Sequence, residues 1–188
     1  MKDVQIQVLL NILDEVTQRY DEIFEIKERL LREANYKSTH DLLTNLYNRS
    51  YFEAKVKTLI RKKEPFALAF MDLDNFKFVN DTYGHKVGDE VLIQVSEILK
   101  KNLKGGDIIA RFGGDEFLIA IKECSKEDAF KLFQEIINEI KKVLRIYHLT
   151  ASVGISYYPE IKEYKELLKT ADEKMYEAKR KGKDRIVF

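Results

Sequence analysis

"RFGGDEF", residues 111–117, lies between the apolar runs "DIIA" (107–110) and "LIAI" (118–121). Two apolar segments closing around a glycine pair read as a β-hairpin, because a two-residue loop needs positive φ and glycine supplies it without a Cβ clash. In the plain version Asp115 and Glu116 are solvated acids at a turn. A second use fits the same spacing: Gly113 and Gly114 leave room for a phosphate while two carboxylates stand beside a metal ion. The flanking chain bears on the choice.

Working outward, "FALAFMDLD" (66–74) reads as a buried strand ending in acids, and "YFEAKVKTLI" (51–60) before it has the apolar period of a helix. "EVLIQVSEILKKNL" (90–103) is helical through Val91, Leu92, Val95, Ile98 and Leu99, with Gly105-Gly106 suited to its C-terminal cap. Beyond the hairpin, "EDAFKLFQEIINEIKKVL" (127–144) is strongly amphipathic, with Ser125 placed to cap it. "LTASVGISYY" (149–158) reads as a strand, "YKELLKTADEKMYEAKRK" (164–181) as a helix and "RIVF" (185–188) as a short edge strand. This order predicts an α/β domain of the α+β kind, with helices packed over a central sheet that contains an antiparallel hairpin.

Residues 1–36 differ in character. Leu9, Leu13, Val16, Tyr20, Ile23, Leu30 and Ala34 keep an a/d heptad register that Lys27 interrupts, as two zipped helices would require. A single long helix folded back on its own domain is the alternative. The predicted division is therefore a helical stalk, 1–36, and a catalytic or binding domain, 37–188. Such a stalk beginning at residue 1 is also compatible with a sensor domain upstream.

Bulk properties narrow the function. The 188 residues are 45% hydrophobic and 35% charged with a net charge of +1, which describes a globular protein without the basic field of a nucleic-acid binder. No apolar run reaches the roughly 20 residues of a membrane span. A single cysteine, Cys124, rules out an internal disulfide and any multi-cysteine metal site, and suits the cytoplasm.

Three further stretches carry chemistry. Asp72 and Asp74 are two apart, so a continuing strand puts them on one face, and the loop that follows offers backbone N–H groups and Lys77 to an anion. With Asp115 and Glu116 they form the hard-oxygen environment that Mg²⁺ prefers; alone, each is an ordinary strand-end acid. In "VNDTYGHKVGDEVL" (79–92), Asn80 and Asp89 bracket a loop containing Gly84 and Gly88. Amide plus carboxylate can read a guanine edge, and an Asx turn with a helix cap accounts for the same residues. Lys179 and Lys183 stand four apart where the last helix ends, either complementing its dipole or clamping nucleotide phosphates.

Taken together, these stretches resemble the GGDEF family of diguanylate cyclases over residues 37–188. "HDLLTNLYNR" (40–49), "DLDNFKFVND" (72–81), "GHKVGD" (84–89), "GGDEF" (113–117), "LTASVGIS" (149–156) and "ADEKMYEAKRKGKDR" (171–185) match the family's motifs in order. The resemblance implies a nucleotidyl-cyclase-like sheet and the condensation of two GTP into cyclic di-GMP with release of two pyrophosphates. It further implies a two-fold dimer joined through the N-terminal helix, and Mg²⁺ or Mn²⁺ held by Asp72, the Leu73 carbonyl and Asp115. Asp115 and Glu116 would assist deprotonation of the 3′-hydroxyl. Asn80 and Asp89 would read guanine. The backbone around Asn75, Phe76 and Lys77, with Gly113, Gly114 and the Lys77, Lys179 and Lys183 side chains, would receive phosphates. No nucleic-acid polymer and no membrane enters this picture.

Rival readings are a module that binds GTP or cyclic di-GMP without turnover, a cyclase making a mixed guanine–adenine product, and a structural dimerisation domain. The retained acids Asp72, Asp115 and Glu116 favour catalysis, and Asp89 favours guanine. The chain departs from the family pattern where Asn45 replaces the usual Gly and Lys183 the usual Arg. It departs again where Lys104-Gly105-Gly106-Asp107 stands in place of the inhibitory Arg-x-x-Asp. Lysine lacks the planar bidentate fork of arginine. Feedback inhibition by cyclic di-GMP through Lys104 and Asp107 is accordingly expected to be weak or absent. Calorimetry showing tight product binding that Lys104→Ala and Asp107→Ala abolish would overturn this expectation.

Overall fold

The computed structural model describes residues 2–188; the side chains at 2–5, 7, 9 and 12, Leu9 of the heptad row among them, lie outside the described residues. The chain divides into two compact units, Met1–Ser38 and Thr39–Phe188. The first is essentially one helix, α1 (Lys2–Thr39), along which Leu13, Val16, Tyr20, Ile23 and Leu30 are exposed. Among the described residues no helix is long and apolar enough to cross a membrane.

In the second unit the order is β1 (Tyr47–Asn48), α2 (Arg49–Lys62), β2 (Phe66–Asp74), α3 (Phe76–Tyr83), α4 (His85–Asn102), β3 (Ile108–Gly113), β4 (Glu116–Lys122), α5 (Lys126–Val143), β5 (Thr150–Tyr158), α6 (Tyr164–Arg180) and β6 (Arg185–Val187). The six strands form one sheet in the order β1-β3-β4-β2-β5-β6. β2 lies antiparallel between β4 and β5, and all nine of its residues are buried. A strand covered on both faces explains its unbroken apolar run, where a half-exposed strand would alternate. Odd-numbered β2 residues (Ala67, Ala69, Met71, Leu73) join the core under α3, α4 and α5; Phe66, Leu68 and Phe70 face the core under α2 and α6. The fold is the expected α+β layering, with Ser125 capping α5 through the Asp128 N–H.

Two local expectations are corrected. The stretch 79–92 is not a loop: α3 and α4 abut at Gly84, and Gly88 lies inside α4. A Cβ on Gly88 would sit 1.9 Å from the Asn80 side-chain oxygen, so the glycine permits two helices to touch and marks no break. Gly105-Gly106 likewise does not cap a helix. α4 ends at Asn102 with Leu103 extended, and the glycines form a turn closed by the Asp107 N–H on the Lys104 carbonyl. β1, only two residues long, was not foreseen at all; it pairs in parallel with β3 at Ala110 and Arg111.

Gly154 of β5 sets how closely α6 can lie on the sheet. A Cβ there would fall 2.0 Å from the Ala171 carbonyl oxygen and 2.1 Å from the Met175 nitrogen, both backbone atoms of α6 that have nowhere to go. Gly154→Ala is expected to destabilise the unit by at least about 2 kcal/mol, as overpacking does when neither neighbour yields. Urea unfolding of the two proteins compares them directly.

Candidate functional site

The hairpin brings the acids together. β2 and β4 pair from Phe66↔Lys122 to Asp72↔Glu116, so Asp72, the first of the two buried acids that end β2, stands directly opposite the first residue of β4. The Leu73 N–H donates to the Asp115 carbonyl at 3.2 Å, tying the hairpin tip to the end of β2. The loop differs from the expected glycine pair: Gly113 pairs with Glu116 after a bulge at Arg111/Gly113, which leaves Gly114 and Asp115 at the tip. Gly114 is left-handed (φ 53°), a conformation that L side chains rarely adopt.

Asp115 lines a cleft of about 480 Å³ together with Asp72, Leu73 and the Asn75–Phe78 segment. Lys179 and Lys183 line it as well. Lys179 Nζ lies 2.7 Å from Asp72 Oδ1, and Lys183 Nζ donates to Asn75 Oδ1 at 2.8 Å. Asn75 is itself left-handed (φ 65°) and precedes α3, whose first N–H groups lack intrahelical acceptors. The predicted metal, phosphate and lysine residues Asp72, Leu73, Asp115, Asn75, Phe76, Lys77, Lys179 and Lys183 therefore share one cleft. Glu116 adjoins it by register with Asp72.

Asn80 and Asp89 do not line this cleft. Asn80 is half-buried on α3, one turn beyond Phe76 and Lys77, and Asp89 is exposed on the second turn of α4. Gly88 packs on the Asn80 amide and thereby keeps Asp89 close to it in space. Lys104 and Asp107 line a different cleft, of about 300 Å³, which Cys124 also borders. Both Asp107 oxygens are engaged there, one by the Lys104 N–H at 2.9 Å and one by the Lys122 N–H at 3.1 Å.

The carboxylates disturb one another. Burial, followed by repulsion from Asp115 and Glu116, raises the pKa of Asp72 to about 6 even though Lys179 opposes the shift. Glu116 is raised by burial and by Asp115 and Asp172. Crowded carboxylates with one lysine between them are the setting a divalent cation relieves, and Mg²⁺ commonly takes one or two carboxylates plus phosphate and water oxygens. Among the described residues no group of three His, Cys, Asp or Glu side chains forms a closed cage for an ion. The donor set thus suits a cation completed by ligand oxygens.

Sequence reasoning passed over Arg111 and Asp41. Arg111 donates through Nε and Nη2 to the Gly114 carbonyl at 2.9 and 2.8 Å, and through Nη1 to both Asp41 oxygens at 3.2 Å. It braces the hairpin tip against the turn at 41–46. There Asp41 also receives the Thr44 N–H, and Asn45 is left-handed (φ 59°). Burial works against the Asp41 charge, but the bonds from Thr44 and Arg111 more than offset it and hold its pKa below the usual carboxylate value. Both residues lie within quoted motifs; their pairing across the chain has no local signature.

Comparison with known proteins identifies the family and the fold. The family model described as "Diguanylate cyclase, GGDEF domain" matches residues 38–185. The bifunctional diguanylate cyclase/cyclic di-GMP phosphodiesterase MucR of Pseudomonas aeruginosa is 35% identical, over 98% of this chain and 28% of its own length. Diguanylate cyclase DosC of Escherichia coli K12 is 31% identical, over 98% of this chain and 42% of its own. The chain thus spans less than half the length of these curated relatives. The coiled coil and GGDEF domain of DgcB from Caulobacter crescentus, solved with c-di-GMP, matches in fold with a TM-score of 0.83 at 24% identity, over 94% of this chain and 98% of that one. The GGDEF domain of YfiN (TpbB) from Pseudomonas aeruginosa matches with a TM-score of 0.69 at 32% identity, over 79% and 94%.

The raised Asp72 pKa has a consequence for metal-free protein. A carboxyl whose folded pKa of about 6 exceeds its ordinary 3.8 supports folding fully below pH 3.8, and that contribution is lost as pH rises through 6. At about 1.4 kcal/mol per pKa unit the loss is at most about 3 kcal/mol. Melting temperatures in EDTA between pH 4 and 7 are expected to fall for the wild type more steeply than for Asp72→Asn.

Proposed function

Because the chain belongs to the GGDEF-domain diguanylate cyclase family, we propose that it condenses two GTP molecules into cyclic di-GMP. Each protomer of a two-fold dimer holds one nucleotide. The observation that carries this reading is the convergence of Asp72, Asp115 and the Lys179–Lys183 pair on one cleft, with Glu116 in register beside it. The 3′-oxygen of each GTP attacks the α-phosphorus of the other. A new P–O bond forms as the bond to the β-phosphate oxygen breaks, and pyrophosphate leaves with its electron pair.

Asp72, the Leu73 carbonyl and Asp115 would hold Mg²⁺ or Mn²⁺, which when bound neutralises phosphate charge and eases ionisation of the attacking hydroxyl. The chain's own groups do the rest. Lys77, Lys179 and Lys183, with the N–H groups opening α3, take the charge of the β- and γ-phosphates. Left-handed Gly114 holds the hairpin tip clear of side chains where phosphate must approach. Glu116, raised in pKa by its burial and by Asp115 and Asp172, is suited to accept the 3′-proton at neutral pH, and Asp115 assists it. Asn80 and Asp89 select guanine, because the carboxylate accepts from N1–H and the exocyclic amine together.

A single protomer cannot close the ring, so association is part of the mechanism. The apolar heptad row of α1 supplies it: a parallel two-helix stalk, residues 1–36, raises the effective concentration of the second half-site, which the partner's domain at 37–188 carries. A sensor preceding this stalk would control the pairing. A reducing cytoplasm suits the lone thiol of Cys124.

Incubation of the protein with GTP and Mg²⁺, resolved by chromatography, is expected to yield cyclic di-GMP and pyrophosphate. Glu116→Gln should lower the rate by roughly 100-fold, the scale of a lost general base. Absence of product from protein verified as a dimer would overturn the proposal.

A further inference from the structure

Asp74, the last residue of β2, is among the residues that line the cleft, but its carboxylate is engaged by the protein itself. It is 2% exposed, and its carboxylate accepts three hydrogen bonds. Oδ1 takes Ser152 Oγ at 2.8 Å; Oδ2 takes Thr150 Oγ1 at 2.7 Å and the Asp184 backbone N–H at 3.0 Å. Two of these donors belong to the neighbouring strand. The third belongs to the turn after α6, and it is the informative one.

That turn is strained. Gly182, Lys183 and Asp184 are consecutively left-handed, with φ of 109°, 61° and 52°. Two L-residues in succession hold that conformation only where the surroundings impose it. The restraints are visible. The Lys183 N–H donates to the Ala178 carbonyl at 3.0 Å, and Arg185 Nε donates to the Lys183 carbonyl at 2.9 Å. Lys141 of α5 pairs with the Asp184 carboxylate at 2.7 Å. Among the described residues, only the Asp74 bond reaches the turn from inside the sheet. What the turn presents is the Lys183 side chain, which crosses the cleft to Asn75, the residue next to Asp74.

We propose that Asp74 is a positioning residue: its buried carboxylate, with Lys141 assisting from outside, holds the left-handed 182–184 turn so that Lys183 meets the nucleotide phosphates. The role rests on the cyclase reading above. It differs from that of Asp72 two residues earlier, because both Asp74 oxygens are engaged by protein donors and the residue acts through Lys183. A lysine has more side-chain freedom than an arginine fork, so a fixed backbone matters more at this position.

The test is binding of 3′-deoxy-GTP with Mg²⁺, measured by calorimetry, since this nucleotide lacks the attacking hydroxyl and cannot turn over. Asp74→Asn and Lys183→Ala are each expected to weaken it about tenfold, the loss of one charge-assisted contact. The double variant should be no weaker than Lys183→Ala alone. With GTP, Asp74→Asn should raise KM and leave kcat nearly unchanged. Undiminished affinity in Asp74→Asn, or an equal further loss in the Lys183→Ala background, overturns the role. Should Asp74→Asn fail to fold, Lys141→Met, a surface change, carries the test. A loss of affinity that disappears in the Lys183→Ala background supports the role, and unchanged affinity overturns it. Wild-type protein that does not bind 3′-deoxy-GTP overturns the cyclase reading and this role together, whereas wild-type binding with an undiminished variant overturns this role alone.

Discussion

Seven consecutive residue pairs between β2 and β4, ending at Asp72↔Glu116, are the constraint on which the site depends. Side chains alternate along a strand, so a slip of one residue would send Asp72 and Glu116 to opposite faces and turn the apolar residues of β2 away from their cores. The two cores hold the register from either side. One is built on Ala67, Ala69, Met71 and Leu73, the other on Phe66, Leu68 and Phe70. Packing that is wholly apolar thereby sets how deeply the carboxylates are buried and how closely they crowd at the strand end, and burial first, crowding second, raises both pKa values.

Elements carried by side-chain period were legible in the sequence: β2, the hairpin, α5, β5 and α6 all stand where their patterns put them. Those that fail the test of period fail for identifiable reasons. Gly84 and Gly88 have the look of loop punctuation, yet Gly88 lies within α4 and is a glycine because the Asn80 amide occupies the space a side chain would need. Gly105 and Gly106 suited a helix cap, but α4 ends earlier and Asp107 closes their turn instead. β1 is too short to show any period and exists only because β3 offers it a partner.

The same division runs through the site. Residue types and spacing pointed to the acids and lysines, since a strand-end carboxylate or a helix-end lysine is marked by its local context. Supports that join distant segments were not marked in this way. Arg111 reaches Asp41 across 70 residues and Asp74 reaches Asp184 across 110, and neither bond leaves a trace in local pattern. Each support consists of an ordinary charged residue doing geometric work: one fixes the hairpin tip, the other the final turn.

The sheet ends in strands of two residues on one side and three on the other, and the short one is flanked further by the bridge from His40 to Tyr47. Each edge strand offers only two or three residues as a template for another strand. A domain proposed to work by gathering copies face to face would run a standing hazard of polymerising edge to edge. Clipped edges lessen that hazard, because a strand of two or three residues gives an incoming strand too few hydrogen bonds to hold.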